Sequence, residues 1–540
     1  MLLKVVDLFA FLSVVLRAGT LVFQSLVLGG VLFVLWTVRP SLALPADNNL
    51  RVHRSSWLLL RISAIGLCVM QALYLFVNSS TLMVTAEIGL DAVVGANFFV
   101  SGCIVLTAAV LTMIVAHENN RLAKWVLPVL AGLILGASLM TNHAVSRIEG
   151  RPLLVLLSGM HELAAGFWIG GLPFLVLALY RAGDLSAQWH ITQRFSKVAL
   201  VSVMLLTVSG LVMSKLYINS WAAIVGTAYG VMVSAKALML GALLLLGGVN
   251  FLLLRNSTKE EALPRLRKLI EAEIGIGITV ILTAASLTSQ PPAIDLVSET
   301  VNAQQIYQRF RPTVPRLWYD YLPADSGDAN GAPAKALAYN LDGEPLTRKS
   351  INDAIESESN HHWMGILVLA MGILALVART GKAQWAAYWP LLLIGIAIFI
   401  VIQADSECWP VGHKSVGACM ADPEVFQHRL AALVCVGFAI FELQVRRGPR
   451  NDTRLALVFP LMCAIGGAVL LTHSHAITSI KENLLVELSH VPLGIVAVFA
   501  GWSRWLELRL PQGKEQSILS WIWPFCFVIM GAGLLNYREM

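Results

Sequence analysis

The chain is threaded by apolar runs of about 18 residues or more, each long enough to cross a hydrocarbon layer about 30 Å thick. Backbone N–H and C=O groups in lipid must be satisfied within the segment or in a closed barrel. The runs are continuous rather than alternating in short strands, which selects helices. Composition agrees, with 57% hydrophobic and only 13% charged residues, against about 25% charged in a soluble domain.

The spans expected from these runs are 5–38, 57–79, 92–116, 124–146, 152–180, 195–218, 227–254, 271–289, 362–379, 384–402, 427–444, 453–472, 485–502 and 519–536. They predict an all-α, polytopic transmembrane bundle of about fourteen helices, in halves of about eight and six. The first span is too long for a signal-peptide core, has only Lys4 ahead of it and is followed by Arg39, so it reads as an uncleaved helix. Three regions follow: an N-terminal transmembrane half over 1–289, a polar insert over 290–361 and a C-terminal transmembrane half over 362–540. The insert is rich in Pro, Asp and Asn, and its acidic residues outnumber its basic ones. No internal repeat is evident, so an inverted-repeat transporter design has no support in the sequence.

Charge orients the bundle. Alternate gaps between spans, beginning with the first, carry Lys or Arg, from Arg39, Arg51 and Arg54 through Arg255 to Lys268, and on to Arg379, Arg446 and Arg504. Excess Lys and Arg marks the cytoplasmic side, which places the N-terminus outside, in the periplasm. The net charge of +6 is accounted for by these loops, and nucleic acid is not an expected partner.

The opposite face receives nine of the twelve histidines: His143, His161, His361, His362, His413, His428, His473, His475 and His490. Imidazole is the commonest protein ligand for metals, and thioether sulfur adds affinity for Cu(I). Two groups meet that chemistry. In the first half Met140 and His143 lie three apart, on one helix face, with His161 in the next helix. A histidine at that depth should face the bundle interior or a cavity. It can equally be a neutral core residue bonded to a neighbouring helix. Met160 points about 100° away from His161 and is the weaker candidate, while Trp168 shares His161's face as a shield or a packing residue. The second group is His362, His428, His473, His475 and His490, with His361 beside them. His473 and His475 can bind one ion together only if the helix ends near Thr472, since residues two apart on a helix point nearly opposite ways. Glu487, three before His490, can orient its imidazole.

Arg17 and Lys236 are charges at membrane depth, with Glu162 as a candidate partner; Lys236 can also snorkel to the inner face. Cys408 and Cys419 share an outer loop with His413, where they can form a disulfide or act as soft copper ligands. Cys68, Cys103, Cys435, Cys463 and Cys526 read as apolar fillers. The chain has no C-x-x-C, no C-x-x-C-H, no phosphate-cradling G-x-x-x-x-G-K-[ST] and no D-K-T-G, which argues against a thioredoxin-like site, covalent haem and an ATP-driven pump. Any transport is then expected to be passive or coupled to another gradient, and no enzyme activity is expected.

The segment His161-Glu162-Leu163-Ala164-Ala165-Gly166-Phe167-Trp168-Ile169-Gly170-Gly171 resembles the histidine-containing helix of the copper-resistance D (CopD) family of bacterial inner-membrane proteins. It is followed by Arg194-Phe195-Ser196-Lys197-Val198-Ala199, Thr207-Val208-Ser209-Gly210, Thr227-Ala228-Tyr229-Gly230, Lys236 and Gly247-Gly248-Val249-Asn250. The resemblance is good over about 150–290 and looser over 1–150. Beyond 300 the Asn360-His361-His362, Gln427-His428-Arg429 and Thr472-His473-Ser474-His475 steps are similar only to longer members. The resemblance implies copper movement across the cytoplasmic membrane, usually import, alongside a small periplasmic copper-binding β-barrel protein (CopC) that is not fused here. On this reading Met140, His143 and His161 form one metal site, and His362, His428, His473, His475 and His490 a second. A different class competes with it: a b-type cytochrome, in which His428, His475 and His490 supply axial ligands to haem b.

Overall fold

The structure, a computed structural model, describes residues 9–38, 46–118, 120–296, 300–320, 338–339, 345–346, 348–405, 407–420, 423–447, 453–472 and 480–539. It is all-α over these residues apart from a two-residue antiparallel ladder, Ala338–Tyr339 with Pro345–Leu346. Eleven of its helices are long and apolar enough to cross a membrane, and three shorter apolar helices, Ala123–Leu139, Leu391–Ala404 and Val458–Leu470, fall where the remaining spans were expected.

The chain divides into two compact units, the first formed chiefly by Met1–Trp221 and Met232–Asp295, the second chiefly by Leu296–Leu471 and His475–Met540. The first contains α1 (Phe9–Leu32, continued by a π-helical stretch Phe33–Val38), α2 (Ala46–Thr85), α3 (Asn97–Val115), α4 (Ala123–Leu139), α5 (Arg151–Trp168), α6 (Leu172–Arg181), α7 (Leu185–Tyr217), α8 (Ala228–Asn256) and α9 (Lys259–Thr288). Helix α1 is central, touching α2, α4, α5 and α9. Its close crossing with the α5–α6 junction depends on glycine: a Cβ on Gly170 would stand 1.9 Å from the Ser25 carbonyl oxygen, and one on Gly29 2.4 Å from the Gly170 backbone. Small residues let membrane helices approach this closely, which is what the Gly170-Gly171 step supplies.

The second unit contains α10 (Arg348–Arg379), α11 (Leu391–Phe399), α12 (Pro423–Arg447), α13 (Val458–Leu470), α14 (Ile480–Arg509) and α15 (Lys514–Leu535). Helices α10, α14 and α15 pack in a row, with α13 against α14 and α11 against α12. Their core is Met371, Trp389, Ala439, Phe459, Trp523 and Phe527. Cys408 and Cys419 form a disulfide, so the sulfur atoms of that loop are joined to each other rather than offered to a metal.

Several helices overrun their apolar cores. Helix α10 begins at Arg348 rather than near 362, and α9 begins at Lys259 rather than near 271. Hydropathy detects only the stretch matched to lipid, whereas helical hydrogen bonding continues until a cap or proline stops it. As a result His361 and His362 sit well inside α10, not at its start.

Charges that seemed to mark loops are partly internal. Arg379, Arg446 and Arg504 enter a buried network with Glu442 and Glu507 of α12 and α14. Arg446 and Arg504 pair with Glu442 at 3.1 and 3.6 Å, while Arg504 and Arg379 both pair with Glu507. The Trp523 indole N–H donates to Glu507 at 2.7 Å.

Candidate metal sites

In the first unit α5 places His161 and Glu162 side by side. The Ser209 hydroxyl of α7 donates to the Leu205 carbonyl at 2.6 Å, so towards His161 Nδ1, 3.2 Å away, it can only accept. The ring therefore carries its proton on Nδ1 and a lone pair on Nε2, the tautomer a metal needs. Gly210 leaves room for this ring, since a Cβ there would lie 3.3 Å from His161 Cε1. Glu162 accepts from Gln24 Nε2 and Asn142 Nδ2, each at 3.3 Å. Arg17 and Lys236 are the positive charges that act on this carboxylate, as their membrane depth suggested, and Lys236 also acts on His161.

The other expected ligands of this half do not gather around His161. His143 donates from Nε2 to the Thr288 carbonyl at 3.0 Å, which ties the short helix His143–Ser146 to the end of α9. Met140 is exposed. Spacing put Met140 and His143 on one helix face, but α4 ends at Leu139, so the two do not share a helix.

In the second unit His361 and His490 face each other from α10 and α14, with ring centroids 6.2 Å apart. His361 lies flat on Tyr537, its centroid 3.8 Å from the phenol ring's. Nδ1 of each histidine donates to a carbonyl one turn back in its own helix, Ser357 at 2.8 Å and Val486 at 2.9 Å. That bond fixes the ring. His428 of α12 is oriented by a carboxylate, with Nδ1 2.9 Å from Asp405 Oδ1; Arg429 lies against the same carboxylate.

His362 plays a different part. Its Nε2 donates to the Tyr537 carbonyl at 3.0 Å, and its Nδ1 accepts from the Arg316 amide at 2.8 Å. Both ring nitrogens are engaged, so no lone pair remains for a metal, and the ring acts as a latch between α10 and two loop segments. The histidine that meets His490 is its neighbour His361, about 100° round the helix. His473 and His475 lie outside the described residues. Among the described residues no three His, Cys, Asp or Glu side chains form a cluster that could hold a metal ion.

The sequence reading also passed over Glu273 of α9, which is buried and accepts from Trp168 Nε1 at 3.0 Å and Asn250 Nδ2 at 2.8 Å. The signal was present: a carboxylate inside an apolar span, the same criterion that singled out Arg17 and Lys236.

A multi-pass helical membrane protein, with histidines held by hydroxyl, carboxylate and carbonyl groups, is the class these features define. Residues 189–287 match the family of copper resistance protein D. It is 30% identical over 258 residues to the copper transport protein CutJ of Bacillus subtilis (strain 168), a stretch covering 45% of this chain and 46% of that relative. The chain thus matches about half the length of that curated relative. No solved structure matches it.

Proposed function

We propose that this protein carries copper across the cytoplasmic membrane, inward, using histidines near the periplasmic side. The single observation that carries the reading is His161: a half-buried imidazole whose Nε2 lone pair is set by Ser209, beside the Glu162 carboxylate. A half-buried carboxylate next to a neutral imidazole provides the negative charge that a cation leaving water must find. The family match and the copper transport relative supply the identity of the cargo. In the second unit His361 and His490 form the capture pair, with His428 behind Asp405 as a further donor. Two imidazoles are a donor set suited to Cu(I). A small periplasmic copper carrier of the CopC kind would deliver the ion. No catalytic chemistry is assigned. Neither the family nor the relative supports haem.

Cells producing the His161→Ala variant at wild-type abundance should accumulate less copper than cells producing the wild type. Equal accumulation would count against the proposal.

A further inference from the structure

A cavity of about 280 Å³ opens between α5, α7, α8 and α9 in the first unit, away from His161. Trp168, at its inner end, lies seven residues along α5 from His161, about 10 Å down the helix axis. The walls are mostly apolar, and Phe195 and Phe251 join Trp168 in presenting aromatic rings. Besides the Thr192 and Ser196 hydroxyls, two acceptors break that lining. One is the Glu273 carboxylate, 3% exposed, which accepts from the neutral donors Trp168 and Asn250. The other is Asn250 Oδ1, buried and, among the described residues, without a partner. Asn250 must present its Nδ2 to Glu273, so its oxygen is the atom left over. A buried acceptor without a donor is destabilising, which favours an occupant that donates to it, and Glu273 and Asn250 both line this cavity.

The rim indicates where an occupant comes from. Leu200, Leu244 and Phe251 are exposed apolar side chains on membrane-spanning helices, so the opening faces hydrocarbon rather than water. Molecules dissolved there are neutral. Flat aromatic walls, two acceptors at the closed end and an opening towards lipid suit a ring carrying hydroxyl donors. We propose that this cavity binds the head of a membrane quinol, with its hydroxyl groups donating to Glu273 and to Asn250 Oδ1. The site is separate from the histidines and does not rest on the copper reading.

The test is photolabelling of the purified full-length chain with a photoreactive azidoquinol, mapped by mass spectrometry. Labelling should saturate, concentrate on α7 and α8 peptides around Leu200 and Phe251, and be displaced by excess decylubiquinol. Glu273→Gln and Asn250→Leu should each weaken labelling at least tenfold. Gly248→Leu is the variant that spares the fold, because a Cβ at Gly248 meets nothing within 4 Å and leucine is the better helix former. It fills the cavity without touching the Glu273 hydrogen bonds and should also abolish labelling. Labelling unchanged in Gly248→Leu would overturn the proposal. So would equal displacement by phosphatidylglycerol, which would make the cavity an acyl-chain slot.

Discussion

The imidazole of His361 lies on the phenol ring of Tyr537, with 19° between the planes, while the carbonyl of the same tyrosine accepts from His362. Consecutive histidines thus meet one C-terminal residue in two ways, one through its ring and one through its backbone. Their expected behaviour on substitution differs accordingly.

His362→Ala leaves the Arg316 amide and the Tyr537 carbonyl without their partner. Each buried unpaired group costs about 1–3 kcal/mol, so this variant should lose thermal stability, while any copper bound by the remaining protein keeps its affinity. His361→Ala should show the reverse pattern, with weaker copper binding and a small change in melting temperature. Thermal unfolding and competitive copper titration of the two variants check the contrast.

Ser209→Ala removes the hydroxyl acceptor at His161 Nδ1 but leaves the ring and the Leu206 backbone contact in place. Loss of such an orienting partner typically lowers metal affinity about 10- to 100-fold. The expected outcome is weaker copper binding at unchanged abundance, measured with a copper chelator of known affinity. An affinity equal to wild type would show that the tautomer is not set by Ser209.

Glu507 receives Arg379, Arg504 and the Trp523 indole. Glu507→Leu removes the carboxylate that Arg379 pairs with and leaves Arg504 with Glu442 alone inside the second unit. Breaking a buried ion pair by removing one partner costs about 3–5 kcal/mol, so the variant should be recovered poorly and unfold early in detergent. Size-exclusion profiles after graded heating provide the measurement.

The C-terminal segment should respond to pH. Burial, reinforced by the Glu358 carboxylate, raises the Glu539 carboxyl above its ordinary value of 4.5, while Ser357 and Arg309 oppose the shift. Burial likewise raises the Tyr537 phenol, which keeps it neutral. Between the ordinary and the raised value of Glu539, the docked segment binds more protons than the free one. Docking is therefore strongest in acid and weakens as pH rises through that window. Hydrogen exchange at 536–539, corrected for intrinsic rates, should show protection falling with pH, and Glu539→Gln should flatten the trend.

Apolar continuity alone locates the helices, because the bilayer requirement acts residue by residue along the chain. Side-chain direction is less legible. His361 and His362 differ only in which way they face, and nothing local to the sequence separates them before the partners of α10 are known. Met140 and His143 share a helical spacing but lie on either side of the end of α4. Charge was half informative: Arg17 and Lys236 do bear on Glu162, yet Arg379, Arg446 and Arg504 are not simply loop residues, because Glu442 and Glu507 meet them inside the unit. An ion pair between helices distant in sequence has no local signature.

Radiocopper flux into proteoliposomes holding the purified full-length chain tests the central claim most directly. The account predicts uptake by the wild type that falls at least about tenfold in His161→Ala, with folded protein and orientation unchanged. Equal flux through the wild type and His161→Ala would contradict it.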